Sequence, residues 1–304
     1  MNYPHRSVLL HEVVQAFEGC SMPVFFDGTL GAGGHAEAIL SAHPEIEHYL
    51  GCDRDPVAHA IAAKRLSSWE QKVEFIRGSY SEMGRFLDER KMDFVDGFLI
   101  DIGVSSMQLD VMERGFSFRG EGPLDMRMDP SSELTAEEII NSYAEKELER
   151  IFWEYGEEKQ SRRAAAAIVQ ARKKKAIRTT DQLIEIVKPV LKWGKIHPAT
   201  LIFQALRIAV NDELGELERG LDQAIARCRP GGRIAVISFH SLEDRIAKHR
   251  FKESEWKVAK RSRQQSGCLK ILTKKPLEAS DEECRDNPRS RSAKLRVVEK
   301  VSDQ

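Results

Sequence analysis

The 304-residue chain has room for one large domain, or for one domain carrying an insertion, and its 41% apolar residues can fill a sizeable core. No apolar run reaches the length of a membrane span, and the start, Met1-Asn2-Tyr3-Pro4-His5-Arg6, lacks the apolar stretch of a signal peptide, so a cytoplasmic location is expected. A formal charge of −1 excludes a polycation, and five cysteines (Cys20, Cys52, Cys228, Cys268, Cys284), odd in number and without C-x-x-C spacing, argue against a disulfide framework or a structural zinc site.

The first hundred residues alternate strand and helix signals, the pattern of a parallel sheet with helices on its faces. Strands are predicted over 24–26, 49–52, 73–76 and 95–100, with helices over 36–41 and 56–69 between the first three. Pro56 suits a first helical turn, and Ala58, Ile61, Ala62 and Leu66 form an apolar stripe. The first strand runs into Asp27-Gly28-Thr29-Leu30-Gly31-Ala32-Gly33-Gly34-His35, a glycine-rich loop that lets backbone approach a nucleotide-like ligand. The second ends on Asp53, placed to accept ribose hydroxyls. The third closes with Gly78-Ser79-Tyr80 and the fourth ends at Asp101, both where ligands bind in an open α/β sheet.

After Ser105 the strand signals stop. Residues 115–130, rich in Gly, Pro, Arg and Asp, read as an ordered loop. Thr135-Ala136-Glu137-Glu138 is a capping box whose helix is expected to continue to the neighbourhood of Gly156. An Ala-rich basic segment over 161–175, a helix over 180–187 and a periodic segment opened by Pro198 follow. Strand character returns after Arg229-Pro230-Gly231-Gly232, over 233–238. Ser241 is expected to cap the next helix, and a last strand is expected over 293–298. The organisation expected is an α/β domain over 1–105 and 201–304, interrupted by a helical insertion over 106–200.

Positive charge gathers in two places. One is Arg162-Arg163 with Arg172-Lys173-Lys174-Lys175 and Arg178; the other is the stretch from Arg245 to Lys275. Two dense clusters in a near-neutral chain favour contact with a polyanion over a merely solvated face.

Gly31-Ala32-Gly33-Gly34-His35-Ala36 fits the dinucleotide fingerprint, so the loop alone allows a nicotinamide dinucleotide or S-adenosylmethionine. Asp27 tilts the choice to the second, because an acid beside the loop can hold the ammonium of a methionine moiety and would oppose a pyrophosphate. Tyr80 either covers the adenine or packs as a rim aromatic. Asp101 either sits beside the transferred group or caps the segment after it.

These residues carry a resemblance. The blocks Asp27 to His35, Asp53-Arg54-Asp55-Pro56, Asp101 to Asp110, Arg114-Gly115-Phe116-Ser117-Phe118, Gly122 to Met128, His197-Pro198-Ala199-Thr200, Ile237 to Arg245 and Asn287 to Ser292 resemble the ribosomal RNA small subunit methyltransferase H family (RsmH, formerly MraW), from His5 to about Glu299. The resemblance implies a Rossmann-like class I S-adenosylmethionine-dependent methyltransferase with an inserted all-helical domain for substrate recognition. It implies methylation of the exocyclic N4 of one cytidine in the decoding region of 16S rRNA, within the small ribosomal subunit. Cofactor contacts would fall on Gly33, Gly34, His35, Asp53, Tyr80, Asp101 and Gln108. Tyr80 stands where many members carry Phe, a change that keeps stacking. A homodimer stays open.

The chemistry asks for an acceptor. The cytosine amino lone pair is delocalised into the ring, so the enzyme must accept a hydrogen bond from that amino group while aligning it with the methyl. Asp101 is the candidate. The Pro-Pro-aromatic motif usual beside such an acid is replaced here by Ile102-Gly103-Val104, and Phe116, Phe118 and Phe239 stand as alternative stacking partners or as ordinary packing. Carbon-5 methylation would need a cysteine nucleophile, and none stands at the end of the fourth strand. His240 and Ser241 could position RNA, or Ser241 could serve only as a cap. No metal is required. Two readings compete: a methyltransferase of similar fold acting on another RNA or on DNA, and a non-catalytic RNA-binding or assembly factor that keeps a cofactor pocket; the intact loop with Asp53 and Asp101 argues against the second.

Overall fold

The computed structural model describes residues 7–103, 111–117, 120–192, 197–255, 257–258 and 265–301, with backbone alone at 257–258 and 265–266. The chain divides into two compact units, residues 1–103 with 214–304, and residues 104–213.

The first unit is built on one sheet. Strands β1 (Val24–Asp27), β2 (His48–Asp53), β3 (Val73–Arg77), β4 (Val95–Asp101) and β5 (Cys228–Ser238) pair in parallel in the order β3-β2-β1-β4-β5. The short pairs β6 (Lys257–Val258) and β7 (Gln265–Ser266) lie apart, while β8 (Leu269–Ile271) and β9 (Leu277–Glu278) flank β10 (Lys294–Lys300), which runs antiparallel to β5. The order reverses between β1 and β4, so the loops after those two strands frame the crevice where an open α/β sheet binds ligands.

Successive strand residues face opposite sides of the sheet. Phe25, Leu99, Ala235 and Leu295 therefore enter one core, beneath the helices Leu10–Ala16, Gly34–Ala42 and Pro56–Arg65. Their neighbours Phe26, Ile100, Val236 and Val298 enter the other, beneath Met83–Glu89, Glu213–Arg227 and Ser241–Glu253. Phe25 stacks on Tyr49 at 5.2 Å between ring centroids, and Phe26 stacks on Phe98 at 5.6 Å. Fully burying each such ring contributes about 1.5–3 kcal/mol, which holds the β1–β2 and β1–β4 registers firmly enough to place the loops above.

Two sequence-based expectations for this unit change. β5 begins at Cys228, not after the Pro-Gly-Gly turn: Val95 pairs with Cys228 and Gly97 with Arg233, so the extra residues are taken up as an irregularity in one strand. The helix Ser241–Glu253 is capped by His240, one residue before the expected Ser241.

The second unit is helical among its described residues: Ala136–Ser142, Glu145–Glu154, Ser161–Arg172, Thr180–Val187 and Thr200–Asn211. Its core gathers Ile139, Ile151, Phe152, Ile168, Leu183, Ile202 and Leu206. Thr135 caps the first helix through its side chain, as the capping pattern predicts, but that helix stops at Ser142. Tyr143 and Ala144 are extended, and the Glu147 carboxylate accepts from Ala144 N at 2.8 Å to start a new helix. The 115–130 loop is held by Asn211, whose Oδ1 accepts from Met128 N at 2.7 Å and whose Nδ2 donates to Met126 O at 2.8 Å.

Candidate functional site

The glycine loop is shaped as much by the protein as for a ligand. Gly33, at φ +76°, caps Gly34–Ala42, and a Cβ there would press to 3.3 Å on Ala62. A Cβ on Gly34 would collide with Ser7 Oγ. Gly31 differs: it adopts φ +52° and a Cβ there would meet only Thr29 O, at 3.8 Å, so this glycine offers open backbone.

Asp27 is turned into the protein. It is 1% exposed, and its oxygens accept from Tyr49 Oη at 2.8 Å and Thr29 N at 3.1 Å. Burial pushes its carboxyl up to about 7, against the pull of those hydrogen bonds. Tyr49, which the register places on the neighbouring strand, thus takes up one of the Asp27 oxygens within the protein.

Asp53 ends β2 and organises both adjacent turns. Its Oδ2 accepts from Gly31 N at 2.8 Å and its Oδ1 from Asp55 N at 2.9 Å. Burial raises its pKa although these amides oppose the rise. Each oxygen keeps a second lone pair for a ribose hydroxyl.

Asp101 ends β4. Its backbone N donates to Thr29 Oγ1 at 2.6 Å, tying the end of β4 to the glycine loop. About a quarter of the side chain is exposed (24%), yet Oδ1 itself is shut off from solvent and has no hydrogen-bond partner among the described residues. Its Oδ2 lies 3.7 Å from His35 Nδ1, while His35 Nε2 sits 2.8 Å from Val8 O. The carbonyl calls for a proton on Nε2, which leaves Nδ1 to face the acid. Burial, then the charges of Asp27 and Glu243, push the Asp101 carboxyl up to about 8.

Glu243 was not singled out in the sequence. It is fully buried, its Oε2 accepts from Phe239 N at 2.7 Å and His240 N at 3.2 Å, and its Oε1 lies 2.9 Å from His240 Nε2. The signal was the spacing His240-x-x-Glu243, a capping box read one residue late. Thr29, the acceptor for Asp101 N, carried no sequence signal beyond its place in the loop.

Tyr80 follows Ser79 in the turn after β3. A Cβ on Gly28 would lie 2.8 Å from Tyr80 Cβ, and a Cβ on Gly220 would collide with the ring. The structure thus brings Gly33, Gly34, His35, Asp53, Tyr80 and Asp101 to one end of one sheet; Gln108 lies outside the described residues, as does Phe118.

The basic run of the helical unit divides. Lys173, Lys174 and Lys175 are exposed, as are Arg162, Arg163 and Arg178. Arg172 is not a free phosphate ligand: it donates to Ile140 O and Tyr143 O, both at 2.6 Å, closing the end of Ala136–Ser142. In the other cluster Arg250 lies 3.5 Å from Asp222, Lys270 lies 3.8 Å from Glu299, and residues 259–264 lie outside the described residues.

A sheet of order 3-2-1-4-5 with an antiparallel strand beyond β5, acids ending β2 and β4, and an open glycine between them is the class I S-adenosylmethionine-dependent methyltransferase fold. The profile of the MraW methylase family matches residues 2–301. The chain is 52% identical over 309 residues to the ribosomal RNA small subunit methyltransferase H of Protochlamydia amoebophila, covering 98% of each. It is 48% identical over 311 residues to that of Geobacter sulfurreducens, covering 99% of this chain and 100% of the relative. A solved rRNA methylase from Streptococcus thermophilus aligns at TM-score 0.45 and 9% identity, covering 99% of this chain and 100% of that one. A Streptococcus mutans methyltransferase in complex with SAH aligns at TM-score 0.43 and 8% identity, covering 98% and 99%. The chain belongs to the MraW methylase family, and S-adenosylmethionine is its methyl donor.

Proposed function

We propose that this methyltransferase modifies the exocyclic N4 of one cytidine in the decoding region of 16S rRNA, within the small ribosomal subunit and in the cytoplasm. The observation that carries the reading is Asp101, an acid at the end of β4, one of the two strands whose loops frame the crevice, with about a quarter of its side chain (24%) exposed there. A carboxylate that ends such a strand and is partly open to solvent can accept a hydrogen bond from a bound ligand.

The cofactor fits this end of the sheet. Asp53 offers lone pairs to a ribose, Gly31 offers open backbone, and Asp101, raised by burial and then by the charges of Asp27 and Glu243, stands among other acids. When bound, S-adenosylmethionine supplies an electrophilic methyl group and a positive charge. A neighbouring cation favours the ionised form of Asp101, whose carboxylate then accepts a hydrogen bond from the N4 amino group. That bond turns the amino lone pair away from the carboxylate, and the proton becomes acidic only as the new bond forms, so a weak base suffices. Thr29 holds the Asp101 backbone and His35 flanks Oδ2.

Cysteine chemistry at carbon 5 is disfavoured. Burial, with the charges of Asp53 and Asp27, holds the Cys52 thiol well above its usual range, and burial pushes Cys228 up to about 12. Neither is a nucleophile near neutral pH. The relatives' printed names, which specify ribosomal RNA of the small subunit, support the substrate class. The exposed Lys173-Lys174-Lys175 ridge and Arg162-Arg163 suit RNA phosphates, and on this reading the helical unit recognises the substrate. The test is transfer of radiolabelled methyl from S-adenosylmethionine to purified small subunits, followed by nucleoside digestion. Label in N4-methylcytidine is expected; label in 5-methylcytidine alone, or none, overturns the reading.

A further inference from the structure

Glycine in the interior of a helix costs roughly 0.5–1 kcal/mol relative to alanine, so Gly220, midway along the 15-residue helix Glu213–Arg227, calls for a reason. The reason is Tyr80. A Cβ on Gly220 would run into Cδ2 and Cε2 of the ring, the rigid middle of the side chain and not a movable tip. The ring cannot simply retreat, because its stem is closed off on the Gly28 side, where a Cβ would already come to 2.8 Å.

One helical turn before Gly220, on the same face, stands Glu216. Its Oε2 accepts from Ser81 Oγ at 2.5 Å and from Ser79 Oγ, and pairs with Arg54; its Oε1 accepts from Arg219 Nη2 at 2.7 Å. Arg54 in turn donates to Ser79 Oγ at 2.8 Å. Burial opposes the charge, yet the two serines and Arg54 hold the Glu216 carboxyl down at about 2, so the clamp stays ionised. The two residues flanking Tyr80 are thus pinned by one side chain of this helix, and the ring between them is seated on a position that has no side chain.

We propose that Glu216 and Gly220 are positioning residues of the cofactor site: Glu216 fixes the Ser79–Ser81 turn and Gly220 sets the plane in which Tyr80 meets the adenine. This inference rests on the reading of Tyr80 as a cofactor contact. It assigns to Glu213–Arg227 a part in cofactor selection that neither the glycine loop nor the strand ends supply. It also predicts that both residues act through Tyr80, which a merely structural role would not require.

The experiment is a double-mutant cycle on the full chain, reading S-adenosylhomocysteine affinity by isothermal calorimetry. Y80A alone is expected to weaken binding by about fivefold to a hundredfold, the range of base–aromatic stacking. G220A and E216Q are each expected to weaken it by about tenfold with Tyr80 present and by less than about twofold in the Y80A background. If G220A does not fold but Y80A/G220A does, the collision is shown directly. Equal losses in both backgrounds, or failure of both glycine variants to fold, overturn the inference. Unchanged affinity of Y80A would instead remove the Tyr80 contact, and the inference with it.

Discussion

Arg172 and its three lysine neighbours should respond differently to mutation although they are contiguous. Arg172 donates to Ile140 O and Tyr143 O, both at 2.6 Å, where the helix Ala136–Ser142 leaves its last carbonyls unpaired. A hydrogen bond from a charged donor contributes about 1.5–3 kcal/mol, so two would give about 3–6. The side chain is only half-buried, and water can partly replace it, which brings the expected cost of Arg172→Ala to about 2–4 kcal/mol. Reversing Lys173, Lys174 and Lys175 to Glu, all exposed, should change stability by no more than about 0.5 kcal/mol each. The same triple reversal should weaken binding to a 16S rRNA fragment and flatten its salt dependence, since each lost phosphate contact removes about 0.7–0.9 from the log–log slope. Urea denaturation of the full chain reads the first effect, and binding titrations at several salt concentrations read the second. Arg172→Ala with unchanged stability but lost RNA affinity would refute the division, as would an unchanged salt slope in the triple variant.

Other outcomes follow from the same coordinates. Burial, with the charges of Asp27 and Glu243, pushes the Asp101 carboxyl up to about 8 in the folded chain, from an ordinary 3.8. Folding therefore takes up a proton, and the stability this contributes is complete below about pH 4 and lost as pH rises toward 8, by at most about 1.4 kcal/mol per pH unit. Asp101→Asn should flatten that part of the thermal-melting profile, and should lower kcat by roughly tenfold to a hundredfold because a neutral amide oxygen is a weaker acceptor; a profile identical to the parent's would count against the carboxyl. Asn211→Leu should orphan Met126 O and Met128 N and cost about 2–4 kcal/mol in a denaturation midpoint, with no loss expected if the 115–130 loop is held elsewhere. Cys52→Ser and Cys228→Ser should keep methyl transfer, and the native thiols should resist iodoacetamide at pH 8; loss of activity in either would reopen carbon-5 chemistry.

The parallel sheet was legible because short β-branched and aromatic runs ended in acids or glycines at regular intervals, and every one of those ends lies at the same edge. What escaped was set by contacts distant in sequence. Gly34 is needed for Ser7 and Gly33 for Ala62, contacts a fingerprint cannot separate from a ligand's demand. The hydrogen bond of Asp27 with Tyr49, 22 residues on, has no local signal. Arg172 read as one member of a basic run because nothing local distinguishes a carbonyl-capping arginine from a solvated one. Glu216 lies 137 residues from Ser79, and only the fold brings them together. Helix ends failed where a side chain one residue away could serve as cap, as His240 does in place of Ser241.

The central claim, N4 methylation of a 16S rRNA cytidine through Asp101, meets its most direct test in nucleoside mass spectrometry of small-subunit rRNA. The rRNA would come from cells lacking this protein, complemented by the wild-type chain or by Asp101→Asn. The account predicts that N4-methylated cytidine disappears in the deletion, returns with the wild type and returns only weakly with Asp101→Asn. Persistence of N4-methylated cytidine in the deletion strain would contradict it.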